Sequence, residues 1–489
     1  MNALYAELFR ALAPETALVV AALLAIGVDL LAGRHRALAS RLNLAAMIGA
    51  AGVLVALVLV VNTGAVGSVF GASLMLDSVA VAVRVGVLAL VLLTLGVVTA
   101  APLTRQPAEY VALILFAAVG FLQMAAAQQL LLAFLAVELA SLSLYVLAGY
   151  DKSRPESAEA ALKYFLLGAV SAAFLLFGFS LIYGLTGSIE FGEIAHVLAY
   201  QAMSPLLAVG LVMVLVAFGF KAAAAPFHLW APDAYQGAPT ASAALIASAS
   251  KLAGFALFWR LLWSGLGPAA GQFTTHQDYP GWLTIVALLS GASLLLGNFA
   301  ALAQGNVRRL LAYSAIAHAG VLLLGILCAG QAGPGPLFYY ATTYGIATVG
   351  AFGVLAVIER QGCCQAISDL AGLHRRSPLL AGCLLVFVLS LAGIPPLAGF
   401  FGKFVVFAAA LQMGGVASPA GWLTLLAIAL SAVALYYYLI LLKQAVVAPP
   451  AADARPIPVP AVAALTLVVA AGALVVLGVF PSVLLGLFS

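Results

Sequence analysis

The stretch LLAVGLVMVLVAFGFKAAAAP, residues 206–226, decides the fold class. Fifteen apolar or glycine residues lead into Lys221, and four alanines and Pro226 follow it. A run of about 20 such residues is long enough to cross the hydrocarbon core of a membrane. A proline breaks the hydrogen-bond ladder of a helix, which membranes tolerate where neighbouring groups or a wet cavity satisfy the freed backbone. The stretch therefore predicts a membrane-spanning helix that is interrupted beside a lysine.

The rest of the chain has the same character. Its 489 residues are 65% hydrophobic and 7% charged, with a mean hydropathy of +1.18, whereas soluble domains carry about 25% charged residues. A transmembrane β-barrel is excluded because the apolar runs are continuous and do not alternate. We therefore predict an all-α polytopic membrane protein. Hydropathy gives fourteen apolar segments, at about 14–33, 42–61, 74–100, 108–127, 129–150, 156–185, 205–225, 240–264, 281–303, 308–330, 335–359, 377–411, 420–444 and 460–486.

The basic residues predict the orientation of these segments. Alternate loops on one side hold thirteen Lys and Arg, and the loops on the other side hold Arg10 and Arg260. Cytoplasmic loops are the ones that carry the excess of basic residues. Both termini are therefore expected outside, and the first segment is expected to remain as a span because the polar residues 1–14 do not form a cleavable signal sequence. The thirteen are Arg34, Arg36, Arg41, Arg105, Lys152, Arg154, Arg308, Arg309, Arg360, Arg375, Arg376, Lys443 and Arg455.

A carboxylate and four lysines lie inside the apolar segments. They are Glu138, Lys163, Lys221, Lys251 and Lys403. Each charge at the bilayer centre costs ~2.5–3.5 kcal/mol, so together they would cost roughly 12–17 kcal/mol if all were ionised and unpaired. They must therefore face the bundle interior, find polar partners or become neutral. Because burial favours the neutral amine, a row of buried lysines can load and release protons, and we interpret it as a proton relay.

Each of these groups also has a structural interpretation. Lys163 lies only ~12 Å inside its helix, so it could extend to the membrane surface instead of serving a relay. Lys251 follows Ser248 and Ser250, whose hydroxyls could hold water. Lys403 follows a second proline-broken stretch, LAGIPPLAGFFGK, residues 391–403. The proline beside Lys221 and the prolines before Lys403 favour a functional role for both lysines.

Other polar residues in the segments give weaker signals. His318 could pass protons between Lys251 and Lys403, with a neutral, hydrogen-bonded histidine as an equal alternative. His228 follows Pro226 and could line the helix break. Arg84 lies seven residues after Asp77, which predicts a structural ion pair on one helix face. The tyrosines 436–438 are interpreted as interfacial or packing residues.

The sequence lacks the common cofactor motifs. No GxGxxG or GxxxxGK[ST] occurs, so the chain is not expected to bind a dinucleotide or ATP. The four cysteines, Cys328, Cys363, Cys364 and Cys383, have neither CxxC spacing nor nearby ligand histidines, so no metal or iron–sulfur site is expected. Two broken helices in opposite halves, with FGFK in one and FFGK in the other, suggest the inverted repeats of transporters.

Several motifs resemble one known family over the whole chain. The sequence is similar to the antiporter-like subunits of bacterial NADH:quinone oxidoreductase, respiratory complex I, and among them to the subunit N family. The resemblance implies fourteen transmembrane helices, two inverted five-helix repeats, and discontinuous helices 7 and 12. It rests on VELASLSLYVLAGY (137–150), EAALKYFLLGA (159–169), FKAAAAPFHLWAPDAYQGAPT (220–240), SASKLAGF (248–255), NVRRLLAYSAIAHAG (306–320) and LAGIPPLAGFFGKF (391–404).

The resemblance also implies a role for each embedded charge. Glu138 and Lys221 would form a Glu–Lys pair modulated by Lys163, Lys251 would be the central relay, and Lys403 would be the terminal proton donor. The implied regions are N-terminal helices 1–3 at 1–105, the first repeat at 106–265, the second repeat at 280–447, and a C-terminal helix at 456–489.

The resemblance places the redox chemistry outside this chain. NADH, FMN, iron–sulfur clusters and quinone would be held by partner subunits. The expected neighbours are antiporter-like subunit M, small subunits such as K and J, and membrane lipids, with no nucleic acid. The expected location is the bacterial inner membrane with both termini periplasmic.

Two alternatives remain at this stage. The D-type subunit of Mrp cation/proton antiporters shares the same lysines, although PDAYQGAPT, residues 232–240, favours subunit N. A passive scaffold would predict that the buried lysines can be neutralised without loss. Within the complex I family, the lysine at position 403 argues against subunit M, and the chain length argues against subunit L.

Overall fold

The computed structural model describes residues 2–33, 35–101, 106–272, 281–362, 365–450 and 455–488, and these are almost entirely helical. A short antiparallel hairpin, β1 (Gly67–Val69) and β2 (Leu74–Leu76), pairs Gly67 with Leu76. The helices are α1 Asn2–Ala11, α2 Ala13–Val28, α3 Leu38–Thr63, α4 Ser78–Val98, α5 Pro107–Ala126, α6 Leu130–Ala148, α7 Pro155–Thr186, α8 Phe191–Leu198, α9 Pro205–Ala222, α10 Trp230–Gly237, α11 Thr240–Ala247, α12 Ala249–Arg260, α13 Trp282–Leu302, α14 Val307–Ala332, α15 Gly335–Glu359, α16 Leu373–Arg376, α17 Pro378–Ala392, α18 Ala398–Gln412, α19 Pro419–Leu442, α20 Ala461–Val479 and α21 Ser482–Leu485.

The predicted polytopic helical fold is confirmed. Thirteen helices of the described residues are long and apolar enough to cross a membrane, and they coincide with thirteen of the fourteen predicted segments. The remaining segment, 377–411, is two shorter apolar helices, α17 and α18. Its continuous hydropathy conceals a break at residues 393–397, where a glycine and two prolines interrupt the helix.

Helix starts follow the local chemistry of the sequence. Proline occupies the first helical position of α5, α7, α9, α17 and α19, where its missing N–H group costs no hydrogen bond. Side-chain oxygens cap four helix starts, two of them (α9 and α19) among those that begin with proline and two (α4 and α14) in addition, since each oxygen accepts a hydrogen bond from a free backbone N–H. The capping residues are Asp77, Ser204, Asn306 and Ser418.

The most deeply buried helices include those that carry Lys251 and His318. In the most apolar 18 residues of the span Thr240–Gly265 and of α15 every residue is buried, and in those of α14 94% are buried. In contrast, only 28% of the corresponding residues of α7 and of α20 are buried. The exposed positions of the peripheral helices are mostly leucine, valine and phenylalanine, which suits a surface in contact with lipid tails.

One predicted ion pair is wrong. Arg84 pairs with Glu15 of α2, not with Asp77. Asp77 instead caps the start of α4 and accepts two hydrogen bonds from Arg260, at 2.9 and 3.0 Å. Asp77 cannot lie on the helix face of Arg84 because it precedes the first helical turn. Arg34, Arg105, Cys363 and Cys364 lie outside the described residues.

Candidate functional site

The two predicted helix breaks have the same backbone hydrogen bonds. Helix α9 ends with Ala223 in a left-handed conformation (φ 55°), and α17 ends with Gly393 in the same region (φ 87°). The N–H of Ala223 donates to the carbonyls of Gly219 and Phe220, and the N–H of Gly393 donates to those of Leu389 and Ser390. In both breaks the next N–H donates to the first of these carbonyls again. The lysines take different places relative to this common frame.

Lys221 lies two residues before the first break and faces α6. Its Nζ donates a hydrogen bond to the hydroxyl of Ser141 at 3.1 Å. Glu138, which is half-buried and one turn earlier on α6, lines a small cavity of about 20 Å³ together with Lys221. That volume is about the space one water molecule occupies. In the described chain, the carboxylate of Glu138 and the ammonium of Lys221 do not form an ion pair within 4.0 Å. Both groups instead face this cavity.

Lys251 lies in the middle of the bundle, at the start of α12. The hydropathy indicated one continuous segment at 240–264, but the structure has two helices there. Helix α11 ends at Ala247, and Ser248 (φ −118°, ψ −85°) separates it from α12. The Nζ of Lys251 donates to the carbonyl of Ala315 on α14. It also lies 5.3 Å from the ring centre of Tyr344, a distance at which an aromatic face attracts a cation.

Phenylalanine side chains separate Lys221 from Lys251. Phe218, Phe255 and Phe258 line the gap between the two lysines, and this gap is too narrow to hold a water molecule. Phe218 and Phe258 stack with ring centres 4.7 Å apart. A chain of water molecules would therefore need the side chains that line this gap to move apart.

His318 is held by two tyrosine hydroxyls. Its Nδ1 lies 2.5 Å from the hydroxyl of Tyr340, and its Nε2 lies 3.0 Å from that of Tyr438. Because a neutral imidazole has one donor and one acceptor nitrogen, one tyrosine accepts from His318 and the other donates to it. Tyr438 is also hydrogen-bonded to Ser314. His318 also lies beside Tyr344, with ring centres 4.8 Å apart, and Tyr344 is the ring that Lys251 approaches.

Lys403 uses backbone acceptors. Its Nζ donates to the carbonyls of Leu391 and Ala392, at 3.1 and 3.0 Å. These carbonyls belong to the last turn of α17, where a helix has no partner for them. The second break thus provides its own ligands for an ammonium group, and Lys403 is only 7% exposed.

Lys163 lies outside this row. Its side chain is 44% exposed, and its Nζ pairs with Glu159 at 2.6 Å and with Asp233 of α10 at 2.7 Å. The other carboxylate oxygen of Asp233 pairs with Arg309 of α14 at 2.5 Å. Among the residues that the structure describes, no hydrogen bond or ion pair joins Lys163 to Lys221 or Glu138, the pair that it was expected to modulate.

His228 is buried within the turn between α9 and α10. Its Nδ1 has no hydrogen-bond partner among the described residues, and its carbonyl accepts from the N–H of Ala231. The side chain thus lies at the first break, as the sequence indicated. Within the part of the chain that the structure describes, its side chain forms no hydrogen bond with an embedded lysine.

Sequence reasoning missed several polar partners. The tyrosines 437 and 438 are packed in the core, as one of the two predicted roles requires, and they also make hydrogen bonds that the sequence did not indicate; Tyr436 is 63% exposed. Tyr340, Ser314 and Ser141 have no charge and lie in long apolar runs. The spacing of Tyr340 and Tyr344, four residues apart on one face of α15, was the available signal.

Comparisons with known proteins agree on one family. Residues 127–435 match the family described as NADH:quinone oxidoreductase/Mrp antiporter, TM. The chain is 49% identical to NADH-quinone oxidoreductase subunit N 2 of Acidobacterium capsulatum, over 98% of both chains. It is similar to a chain of respiratory complex I from Thermus thermophilus, with a TM-score of 0.78 and 34% identity over 97% of this chain and 98% of that one.

A chain of a second kind of complex has the same fold. A chain of the Mrp complex from Dietzia sp. gives a TM-score of 0.80 over 98% of this chain and 96% of that one, at 21% identity. Fold likeness therefore does not distinguish the two kinds of complex, whereas sequence identity does.

Proposed function

We propose that this chain, which belongs to the NADH-quinone oxidoreductase subunit N family, carries protons across the membrane for that oxidoreductase. It is a multi-pass membrane subunit of the complex. The observation that supports proton transfer is the row of three buried lysines, Lys221, Lys251 and Lys403, each with a polar partner at the centre of an apolar bundle.

The proposed route runs from Glu138 and Lys221 through Lys251 and His318 to Lys403. Ser141 orients the first lysine, and Tyr340 and Tyr438 hold the histidine between the second and the third. Transfer from Lys221 to Lys251 requires that the phenylalanines between them move and admit water. His228 is proposed to line the first break, and Lys163 to act from the side of the route.

The energy for this transfer must come from outside the chain. Moving one elementary charge against 100 mV costs ~2.3 kcal/mol. We propose that redox chemistry in partner subunits supplies it, with NADH, FMN, iron–sulfur clusters and quinone bound there. The neighbours would be antiporter-like subunit M and small subunits such as K and J.

We also propose the finer architecture and orientation. The chain would form fourteen crossings with two inverted five-helix repeats, at 106–265 and 280–447, flanked by the regions 1–105 and 456–489. The matching hydrogen bonds of the two breaks support the repeats. Both termini would lie on the periplasmic side of a bacterial inner membrane, as the basic loops indicate.

The test is to replace the lysines in the intact complex. Lys221→Ala and Lys403→Ala are each expected to lower quinone-coupled proton pumping in proteoliposomes at least ten-fold, about 1.4 kcal/mol or more. Lys152→Ala, at an exposed loop residue, is the matched control and should pump normally. NADH oxidation by a water-soluble acceptor checks that the redox part is assembled. Undiminished pumping in either buried variant would refute the route.

The same preparation tests the alternative. An Mrp-type antiporter would exchange sodium for protons without NADH, and the likeness to that complex concerns the fold alone. We expect no sodium-dependent exchange. We expect the chain to co-purify with flavin and iron–sulfur proteins. Sodium exchange in the absence of NADH would favour the antiporter instead.

A further inference from the structure

Helix α10 connects helix α7 to helix α14. It packs against α7 and α14, and its Asp233 binds Lys163 on α7 with one oxygen and Arg309 on α14 with the other, at 2.7 and 2.5 Å. Gln236, one turn later, accepts a second hydrogen bond from Arg309 at 3.0 Å. Asp233 therefore fixes α10 between the first and second halves of the chain.

The first residue of α10 contacts the backbone beside Lys221. The indole N–H of Trp230 donates to the carbonyl of Phe220 at 3.0 Å. Trp230 is 3% exposed and stacks on Tyr164, with ring centres 4.2 Å apart and an interplanar angle of 6°. Tyr164 follows Lys163 in α7, so the stacking and the ion pair hold α10 from the same side.

The Phe220 carbonyl lies in the last turn of α9, the helix that carries Lys221. Lysines near a helix C-terminus can bind the last carbonyls of their own helix. A carbonyl oxygen has two lone pairs. In this structure one accepts the N–H of Ala223 and the other accepts the indole of Trp230, so neither remains for the ammonium group.

We infer that Trp230 and Asp233 are positioning residues for Lys221. Trp230 occupies the carbonyl that the ammonium would otherwise bind, which leaves Lys221 to Ser141 and to the cavity it shares with Glu138. Asp233 keeps Trp230 in place by fixing α10. Lys163 then influences Lys221 through α10, without touching it. The inference rests on the proposed function, because it assigns these residues to the proton route.

The experiment removes the indole N–H without changing its shape. Benzothienylalanine, a tryptophan isostere with sulfur in place of N–H, is introduced at position 230 of the intact complex by nonsense suppression. Pumping is expected to fall about five-fold, the factor that corresponds to one hydrogen bond. 5-Fluorotryptophan at the same position retains the N–H and should restore pumping. A role in packing alone would not separate the two analogues.

Trp282 provides the matched control. It is fully buried, and its indole donates to the carbonyl of Leu266 at 2.8 Å. The isostere at position 282 should leave pumping within two-fold of the wild type, with normal assembly. An equal loss at both positions, or no loss at position 230, would overturn the inference.

A double-variant cycle tests the link to Ser141. In Ser141→Ala, Lys221 has lost the partner toward which Trp230 directs it, so the isostere at position 230 should add little further loss. Additive losses would overturn the inference. Lys221→Ala is measured alongside: if it pumps normally, the proposed function fails and this inference with it, whereas loss in Lys221→Ala without loss in the isostere refutes the inference alone.

Discussion

The break between α9 and α10 and the break between α17 and α18 share a backbone frame but place charge differently within it. The residue ten positions after the left-handed residue is Asp233 in the first break, counted from Ala223, and Lys403 in the second, counted from Gly393. Lys403 folds back onto two carbonyls of its own break. Asp233 instead binds cations on two other helices, and the embedded lysine of the first break, Lys221, precedes the break.

This difference gives the two lysines different kinds of partner. Lys221 has a hydroxyl at 3.1 Å and a carboxylate across a small cavity, and that carboxylate can itself change its charge. Lys403 has backbone carbonyls, which stabilise a positive charge but cannot titrate. We therefore expect the first site to respond to electrostatic changes elsewhere in the assembly, and the second site to have a fixed environment.

The largest effect should come from removing the titratable partner. Glu138→Gln leaves Lys221 with a neutral neighbour of the same shape, and we expect pumping to fall at least ten-fold, measured as proton uptake into proteoliposomes. Glu156→Gln changes an exposed carboxylate at the start of α7 and should have no effect. Normal pumping in Glu138→Gln would mean that the two lysine sites do not differ in the proposed way.

The second break should be the more sensitive one to an added methyl group. Gly393 has φ +87°, and a Cβ atom there would lie 3.1 Å from Cδ of Lys403. Gly393→Ala should lower stability by about 1–2 kcal/mol, the cost of a left-handed residue with a side chain. Thermal inactivation of the purified complex measures it. Gly254→Ala, whose Cβ would lie 3.4 Å from Cγ of Lys221 at an ordinary helical φ, should be close to neutral.

A smaller effect is expected at the ion pairs of α10. Lys163→Ala should lower pumping about two-fold, since half-exposed ion pairs contribute ~0–1 kcal/mol. The double variant Lys163→Ala with Asp233→Asn should be no worse than Asp233→Asn alone, because both act through the same helix. A loss in the double variant equal to the product of the single losses would show that Lys163 acts independently of Asp233.

The smallest effect concerns the frame itself. Ala223 adopts the left-handed conformation that the second break assigns to a glycine. Ala223→Gly should remove that strain but increase the entropy of the unfolded chain, so we expect stabilisation of at most about 1 kcal/mol. A clear loss of stability in thermal inactivation would indicate that the Ala223 methyl group contributes packing that outweighs its strain.

Much of this organisation could be predicted from the sequence. Thirteen of fourteen spans follow from length and hydropathy, because a membrane demands about 20 apolar residues for each. The break beside Lys221 was marked by Pro226 and the break before Lys403 by two prolines. The embedded lysines were conspicuous because charge is expensive in an apolar segment.

The partners of those charges could not be predicted. Arg84 has Asp77 seven residues away in sequence, yet it binds Glu15, because helix packing brings α2 beside α4 and Asp77 lies in a cap. Lys163 lies in an apolar segment as Lys251 does, and its position near the helix start allowed the half-exposed side chain that the structure shows, but its partner Asp233 lies 70 residues away in sequence. Uncharged partners such as Ser141 and Tyr340 give no hydropathy signal.

By itself, the sequence determined which segments enter the membrane, where two of them break, and which residues carry charge there, since each depends on transfer energies and backbone chemistry within about 20 residues. Only the tertiary structure decided which lysines are buried near the centre, which side chains complete their hydrogen bonds, and that Asp233 of α10 joins Lys163 of α7 to Arg309 of α14. The physical reason is that hydrogen bonds and ion pairs act over about 3 Å between helices, and residue spacing along one chain does not specify those distances.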